Sequence, residues 1–258
     1  MKRWGGTLVL TLALLFLLGP FAIIASAGVS GADVMEFPPT SLSARWFLAP
    51  FLSDSFRQAF LLSFELAVGA TILALALGVP AAYALDRFKP RGGAAVKNLV
   101  MMPLMVPGII VGLALLNYLV VPLDMPVGVA LFLAHAALLV PYALRVVLAG
   151  LENLRTDIEE AAWLLGATPV QAFMRVVLPN IRSGILAAFV LGFITSFNQV
   201  PVSLFLIGPG INTLPIAMLN YVQYNYDPLI AALSTVLAVI TIAIVVGMER
   251  ALGLSRFV

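Results

Sequence analysis

A nucleophile needs a base beside it, and this chain of 258 residues contains one histidine, His135, and no cysteine. Thiolate catalysis, thiolate metal sites and disulfides are therefore excluded. A serine–histidine pair remains to be weighed. Gly28-Val29-Ser30-Gly31 presents Ser30 in a Gly-x-Ser-Gly turn, but Ser30 follows the first apolar run and His135 lies inside the fourth. A lone histidine in an apolar run is expected to hydrogen-bond a neighbouring helix rather than relay protons. No Gly-x-x-x-x-Gly-Lys-Ser/Thr loop occurs, so by that signature the chain has no cradle for ATP phosphates. The expectation is a chain that binds no cofactor itself.

The remaining chemistry is that of polar groups inside apolar runs. The fifth run carries Ser196-Phe197-Asn198-Gln199-Val200-Pro201. Adjacent amides there need partners that lipid cannot supply, and Pro201 removes a backbone donor beside them. Asn198, Gln199 and Pro201 are thus candidates for a polar translocation path, the alternative being a packing kink whose amides bond neighbouring helices. Asn117 and Tyr118 near the outer end of the third run are further candidates, or else interfacial anchors. Glu65 in the second is a path carboxylate or an outer-interface group. Pro103, Pro107, Gly108 and Gly112 permit kinking and close approach, and Arg145 is placed to snorkel to the interface.

The elements that carry these residues follow from composition. Hydrophobic residues make up 62%, charged residues 10%, and mean hydropathy is +1.09, against about 45–50% and about 25% in soluble domains. The chain reads as an all-α, polytopic membrane protein with six transmembrane helices, at about 7–27, 58–85, 98–120, 127–149, 184–206 and 229–251. The first, although it ends in Ala25-Ser26-Ala27, is longer than a typical signal-peptide core and is expected to remain as a span. Residues 1–57 are taken as first span and outside loop, 58–252 as the transport domain and 253–258 as a cytoplasmic tail.

Orientation comes from the basic residues. With both termini in the cytoplasm, Lys2, Arg3, Arg87, Lys89, Arg91, Lys97, Arg145, Arg155, Arg175, Arg182, Arg250 and Arg256 lie inside, and only Arg45 and Arg57 outside. Outside, Trp46-Phe47-Leu48 is expected to form a short interfacial helix. Thr213 is a cap candidate ahead of an amphipathic, tyrosine-rich helix over Ile216–Tyr224.

Inside, a loop over 150–183 joins the fourth and fifth spans and holds two short helices. Thr156 and Glu159 have the spacing of a capping box, so a helix is predicted from about Asp157 to Gly166. Thr168 and Gln171 repeat that spacing with Pro169 at the first helical position, and Pro179 is expected to close the second helix. Ile158, Ala161, Ala162 and Leu165 make one apolar face.

Glu160-Ala161-Ala162-x-x-x-Gly166, followed after nine residues by Val176-x-Leu178-Pro179, resembles the EAA signature of permease subunits of bacterial binding-protein-dependent ABC importers. The family pattern usually has Ile where Val176 stands. Gly208-Pro209-Gly210, Thr213-Leu214-Pro215, Asp227-Pro228 and Ala231–Thr235 are similar to spermidine/putrescine-type permeases, although those often carry acidic residues where this chain has Asn198 and Gln199.

The resemblance implies that 150–183 is a coupling loop, with Glu160, Ala161, Ala162 and Gly166 contacting an ATP-hydrolysing subunit and Glu159, Ala167 and Pro169 beside them. It implies two ATPase subunits carrying ATP and Mg, a second and different permease, and a periplasmic or lipid-anchored binding protein, in the bacterial inner membrane and with no nucleic acid. The substrate implied is a small polar solute such as a polyamine. Two other readings are kept: a secondary transporter or channel subunit, and, on the Gly-x-Ser-Gly form, a rhomboid-like intramembrane serine protease.

Overall fold

The computed structural model describes residues 2–252, and the tail 253–258 with Arg256, like the side chains of Lys2 and Arg3, lies outside the described residues. Every regular element among the described residues is helical. In chain order these are α1 (Lys2–Gly28), α2 (Arg45–Leu52), α3 (Asp54–Phe88), α4 (Gly93–Leu104), α5 (Gly108–Leu123) and α6 (Val127–Glu152), followed by α7 (Thr156–Leu164), α8 (Pro169–Asn180), α9 (Arg182–Phe197), α10 (Leu214–Tyr224) and α11 (Leu229–Leu252).

Four helices, α1, α3, α6 and α11, are unbroken and apolar enough to cross a bilayer, whereas α4/α5 and α8/α9 are pairs bent by 88° and 69°. Two predicted spans are corrected here. The run at 98–120 is two helices separated at residues 105–107, because a residue before proline is driven out of the helical region and Pro107 itself brings no donor. The run at 184–206 is helical only as far as Phe197, after which Val200, restricted by Pro201, leads into an irregular turn and a short 3-10 segment at Ser203–Phe205.

Prolines also explain where helices widen. The turns Leu116–Val120 and Phe173–Val177 are π-type, and each contains the carbonyl four residues before a proline, Pro122 or Pro179. Widening the turn moves that carbonyl away from the ring, so the helix continues past the proline. Pro179 therefore does not close α8; the helix runs to Asn180 and bends at Ile181.

The residues fall into two compact units, one made by those up to 59 with those from 217, the other by residues 60–216. In the first, α1 packs on α11 so closely that a Cβ at Gly28 would stand 2.9 Å from the backbone of Ala232. The loop between α1 and α2 is internally bonded: Arg45 bridges Asp33 and the Gly31 carbonyl, and Trp46 Nε1 donates to the Ala32 carbonyl at 3.1 Å. Glu36 accepts from the Thr40 hydroxyl and amide, which hold its carboxyl below the usual range. Trp46 and its neighbours do form a helix, α2. Asp227 accepts from the Leu229 amide at the start of α11 and from the Tyr221 hydroxyl, whose pKa is pushed up to about 12 by burial and then by that carboxylate.

In the second unit, small residues let backbones approach. Ala67, Ala70, Ala74 and Ala82 of α3 and Ala134, Ala136 and Ala143 of α6 are all buried, and a Cβ at Gly78 would meet Ala143 Cβ at 2.7 Å. Phe60 and Phe64 of α3 meet Phe197 and Phe193 of α9 edge to face at 5.8 and 5.6 Å. Thr213 does not cap α10. Its hydroxyl has no hydrogen-bond partner among the described residues, and the Leu214 amide instead donates to Ser63 Oγ at 2.7 Å.

The glycines of α5 receive irregular backbone rather than a helix. A Cβ at Gly112 would lie 2.5 Å from the Val202 carbonyl oxygen, and one at Gly108 would lie 3.1 Å from Pro201 Cβ. Gly112→Ala would gain at most about 1 kcal/mol of helix propensity, which the overpacking cost of about 1–3 kcal/mol offsets because the obstructing atom is main chain. Thermal unfolding in detergent should show Gly112→Ala destabilised, while Gly19→Ala, with nothing within 4 Å of its added Cβ, stays neutral or gains.

Candidate functional site: the loop between α6 and α8

The segment carrying the Glu-Ala-Ala signature is a helix pair built by local rules. Helix α7 ends in a glycine cap: Gly166 sits at φ +89, its amide donates to the Trp163 carbonyl, and the Ala167 amide reaches back to Ala162 at 3.0 Å. These two hydrogen bonds satisfy two carbonyls that the helix end would leave open. Helix α8 begins with a full capping box, the Gln171 amide on Thr168 Oγ1 at 3.3 Å and the Thr168 amide on Gln171 Oε1 at 2.9 Å, with Pro169 first in the helix.

The start of α7 departs from its prediction. Arg155, not Thr156, holds the cap position, and no side chain caps it. Glu159 does not reach back to the backbone because longer-range partners take it. The Tyr83 hydroxyl donates to one carboxylate oxygen and Arg87 Nε to the other at 3.0 Å. Arg87 in turn pairs with Asp86 and donates to the Leu154 carbonyl at 3.2 Å. The Glu159 side chain is 3% exposed and that of Arg87 10%. A carboxylate this buried persists only when paired and hydrogen-bonded, and here both oxygens are satisfied.

The periodic apolar face does the opposite of what a soluble helix does. Ile158 and Trp163 are exposed, and Leu164 and Leu165 are each 89% exposed. Glu160, Ala161 and Gly166 are exposed and Ala162 and Ala167 half-buried, with Pro169 exposed at the start of α8. Helix α7 thus turns a charged residue inward and apolar residues outward. Tyr83, Asp86 and Arg87 belong to the site and were missed by sequence reasoning. Their one signal was a tyrosine and an arginine four residues apart at the end of an apolar run.

The candidate path residues are not gathered in one place. Asn198 is exposed at the end of α9, its Nδ2 donating to the Ile194 carbonyl at 2.9 Å, and Gln199 is half-buried. Pro201 follows in the turn that packs on Gly108. Asn117 and Tyr118 are exposed on the π turn of α5, and Glu65 is exposed on α3. No hydrogen bond or ring contact among the described residues joins these three places. His135 is buried and bonds Ser196 and Ser203, as a helix–helix hydrogen-bond group should. Ser30 Oγ donates to Glu36 instead, so neither member of the serine–histidine pair is free for the other.

Glu159→Ala and Arg87→Ala should each cost about 3–5 kcal/mol, because each strands a buried charge. The double variant should cost less than the sum of the two. Glu160→Ala, at an exposed position, should stay within about 0.5 kcal/mol. Thermal unfolding of the four proteins checks this.

Residues 74–253 match the family described as binding-protein-dependent transport system inner membrane component. The chain is 34% identical over 203 residues to the putrescine transport system permease protein PotI of Escherichia coli strain K12, covering 76% of this chain and 72% of that one. It is 31% identical over 209 residues to the spermidine/putrescine transport system permease protein PotC of Haemophilus influenzae, covering 79% of each. Its fold is similar to a chain of a bacterial ABC transporter involved in the import of the acidic polysaccharide alginate, with a TM-score of 0.66 at 17% identity over 95% of this chain and 96% of that one. The secondary-transporter and protease readings fall away. The chain belongs to the inner-membrane components of binding-protein-dependent transport systems and is the permease subunit of an ABC importer.

Proposed function

We propose that this permease crosses the inner membrane six times with both termini in the cytoplasm, and that α7 and α8 form a cytoplasmic coupling element that docks on an ATPase subunit. The observation that carries this is the inverted polarity of α7, with Glu159 held inside and Leu164 and Leu165 presented outward. An exposed apolar face on a helix anchored from behind suits insertion into a partner's groove. The six spans are the four unbroken helices, the bent pair α4/α5, and α9 with the turn that follows it. The positions of Arg87, Lys89, Arg155, Arg175 and Arg182 near the coupling loop agree with that orientation.

In the assembly we propose, residues 58–252 serve as the transport domain and form half of the path. A second, different permease supplies the other half, and two ATPase subunits carry ATP and Mg. A periplasmic or lipid-anchored binding protein delivers the solute to the outside segments. Closure of the ATPases moves α7 and α8, and the movement reaches α3 through Glu159, Tyr83 and Arg87. Asn198, Gln199 and the Pro201 turn line the path, with Asn117, Tyr118 and Glu65 contributing from α5 and α3. The solute is a small polar compound of the polyamine class, in keeping with the putrescine and spermidine permeases among the relatives.

Glu160→Lys in the assembled complex should break the link between ATP hydrolysis and uptake, or block ATPase assembly. Full uptake with normal ATPase binding would return the segment to ordinary loop structure. Asn198→Leu should abolish uptake of labelled putrescine while the complex still assembles on a pull-down. Unchanged uptake would remove Asn198 from the path.

A further inference from the structure

The only histidine of the chain holds both ends of the turn that interrupts the fifth apolar run. His135 lies in the middle of α6 and is 2% exposed. Its Nδ1 is 2.7 Å from Ser196 Oγ, on the last turn of α9, and its Nε2 is 3.0 Å from Ser203 Oγ, on the 3-10 segment that follows. Both serines are buried. Of the six residues between them, 197–202, those after Phe197 leave the helix and include Asn198, Gln199 and Pro201.

Proton directions in this cluster are fixed by one further bond. Ser203 Oγ donates its only proton to the Gln199 carbonyl at 2.9 Å, and a carbonyl can only accept. Ser203 must then accept from the ring, so Nε2 carries a proton. No carboxylate among the described residues bonds the ring, and a neutral imidazole with Nε2–H has a bare Nδ1 that accepts from the Ser196 hydroxyl. The chain Ser196–His135–Ser203–Gln199 is satisfied in one sense only. On its other side the turn is braced by α5, where the Val202 carbonyl lies against Gly112.

We propose that His135 is a positioning residue: as the neutral Nε2–H tautomer it clamps Ser196 to Ser203 and sets the conformation of the 197–202 turn, and hence the presentation of Asn198 and Gln199. Irregular backbone at membrane depth persists only where protein satisfies it; Ser203 bonds the Gln199 carbonyl, and His135 holds Ser203 where it can do so. The transport consequence rests on the reading of Asn198 and Gln199 as path residues; the clamp does not.

With one histidine in the sequence, uniform 15N-histidine labelling reports this ring alone, apart from any affinity tag, which is cleaved first. In the purified permease the spectrum should show the neutral Nε2–H tautomer, and Ser203→Ala should shift the ring toward the other tautomer. A doubly protonated ring, an Nδ1–H ring, or a spectrum untouched by Ser203→Ala overturns the proposal. The absence of cysteine permits a second readout. Asn198→Cys, reacted with a soluble maleimide, should change its labelling rate by about fivefold when His135→Leu is added, the effect expected of one hydrogen bond. His135→Gln, whose amide offers both a donor nitrogen and an acceptor oxygen, should restore it. Equal labelling rates in all three backgrounds overturn the positioning role. Should His135→Leu fail to fold, Ser203→Ala takes its place in the labelling series. If the clamp passes both tests while Asn198→Leu transports normally, only the path reading fails.

Discussion

A carboxylate sealed inside a membrane protein must be paid for by its partners, and Glu159 sets the terms for everything around it. Tyr83 and Arg87 can satisfy both of its oxygens only if the end of α3 and the start of α7 are held together, which fixes the loop after α6. Arg87 is fixed in the same act, because Asp86 and the Leu154 carbonyl each accept from one of its other two nitrogens. With Glu159 turned inward, helical periodicity leaves Ile158, Leu164 and Leu165 no choice but to face outward. The apolar surface of α7 is thus a consequence of the buried ion pair. A helix docked on its own bundle by its apolar face would have shown the reverse arrangement.

The second constraint is that backbone polar groups within the apolar bundle must find partners inside the protein. Proline creates the difficulty and three devices meet it. Widened turns precede Pro122 and Pro179. Glycines at 108 and 112 admit the main chain of residues 201–202. Serine hydroxyls at 63 and 203 bond backbone groups that no helix satisfies, the Leu214 amide and the Gln199 carbonyl. Alanine-rich faces on α3 and α6 then bring the rods close enough for these short reaches to succeed.

Local patterns were legible in the sequence and long-range ones were not. The apolar runs gave the helices, because burial in lipid is written in composition. Gly166 and the Thr168–Gln171 box formed as read, since both ends of each device lie within a few residues. Thr156 and Glu159 have the same spacing as Thr168 and Gln171 and did not cap, because Glu159 found a tyrosine 76 residues away and an arginine 72 residues away. Thr213 failed as a cap for the same kind of reason, with Ser63 arriving from another helix. The helix breaks at 105–107 and after Phe197 were signalled by Pro107 and Pro201, but a proline inside a helix can also be absorbed, as Pro80 and Pro141 are. Which outcome holds depends on whether a neighbour such as Gly112 accepts the released backbone. Tyr83, Asp86 and Arg87 could not be tied to Glu159 from the sequence, because their spacing at the end of an apolar run names no distant partner.

The uninterrupted length of α3 has a mechanical meaning. Its 35 residues at about 1.5 Å each extend about 52 Å, whereas the hydrocarbon core is about 30 Å thick and the bilayer with its headgroups about 40–45 Å. Even a modest tilt leaves a helical turn or more standing clear of the lipid. Tyr83 and Arg87 lie in the last two turns of that rod, so the grip on Glu159 acts at one extreme of a lever whose fulcrum is the small-residue contact with α6.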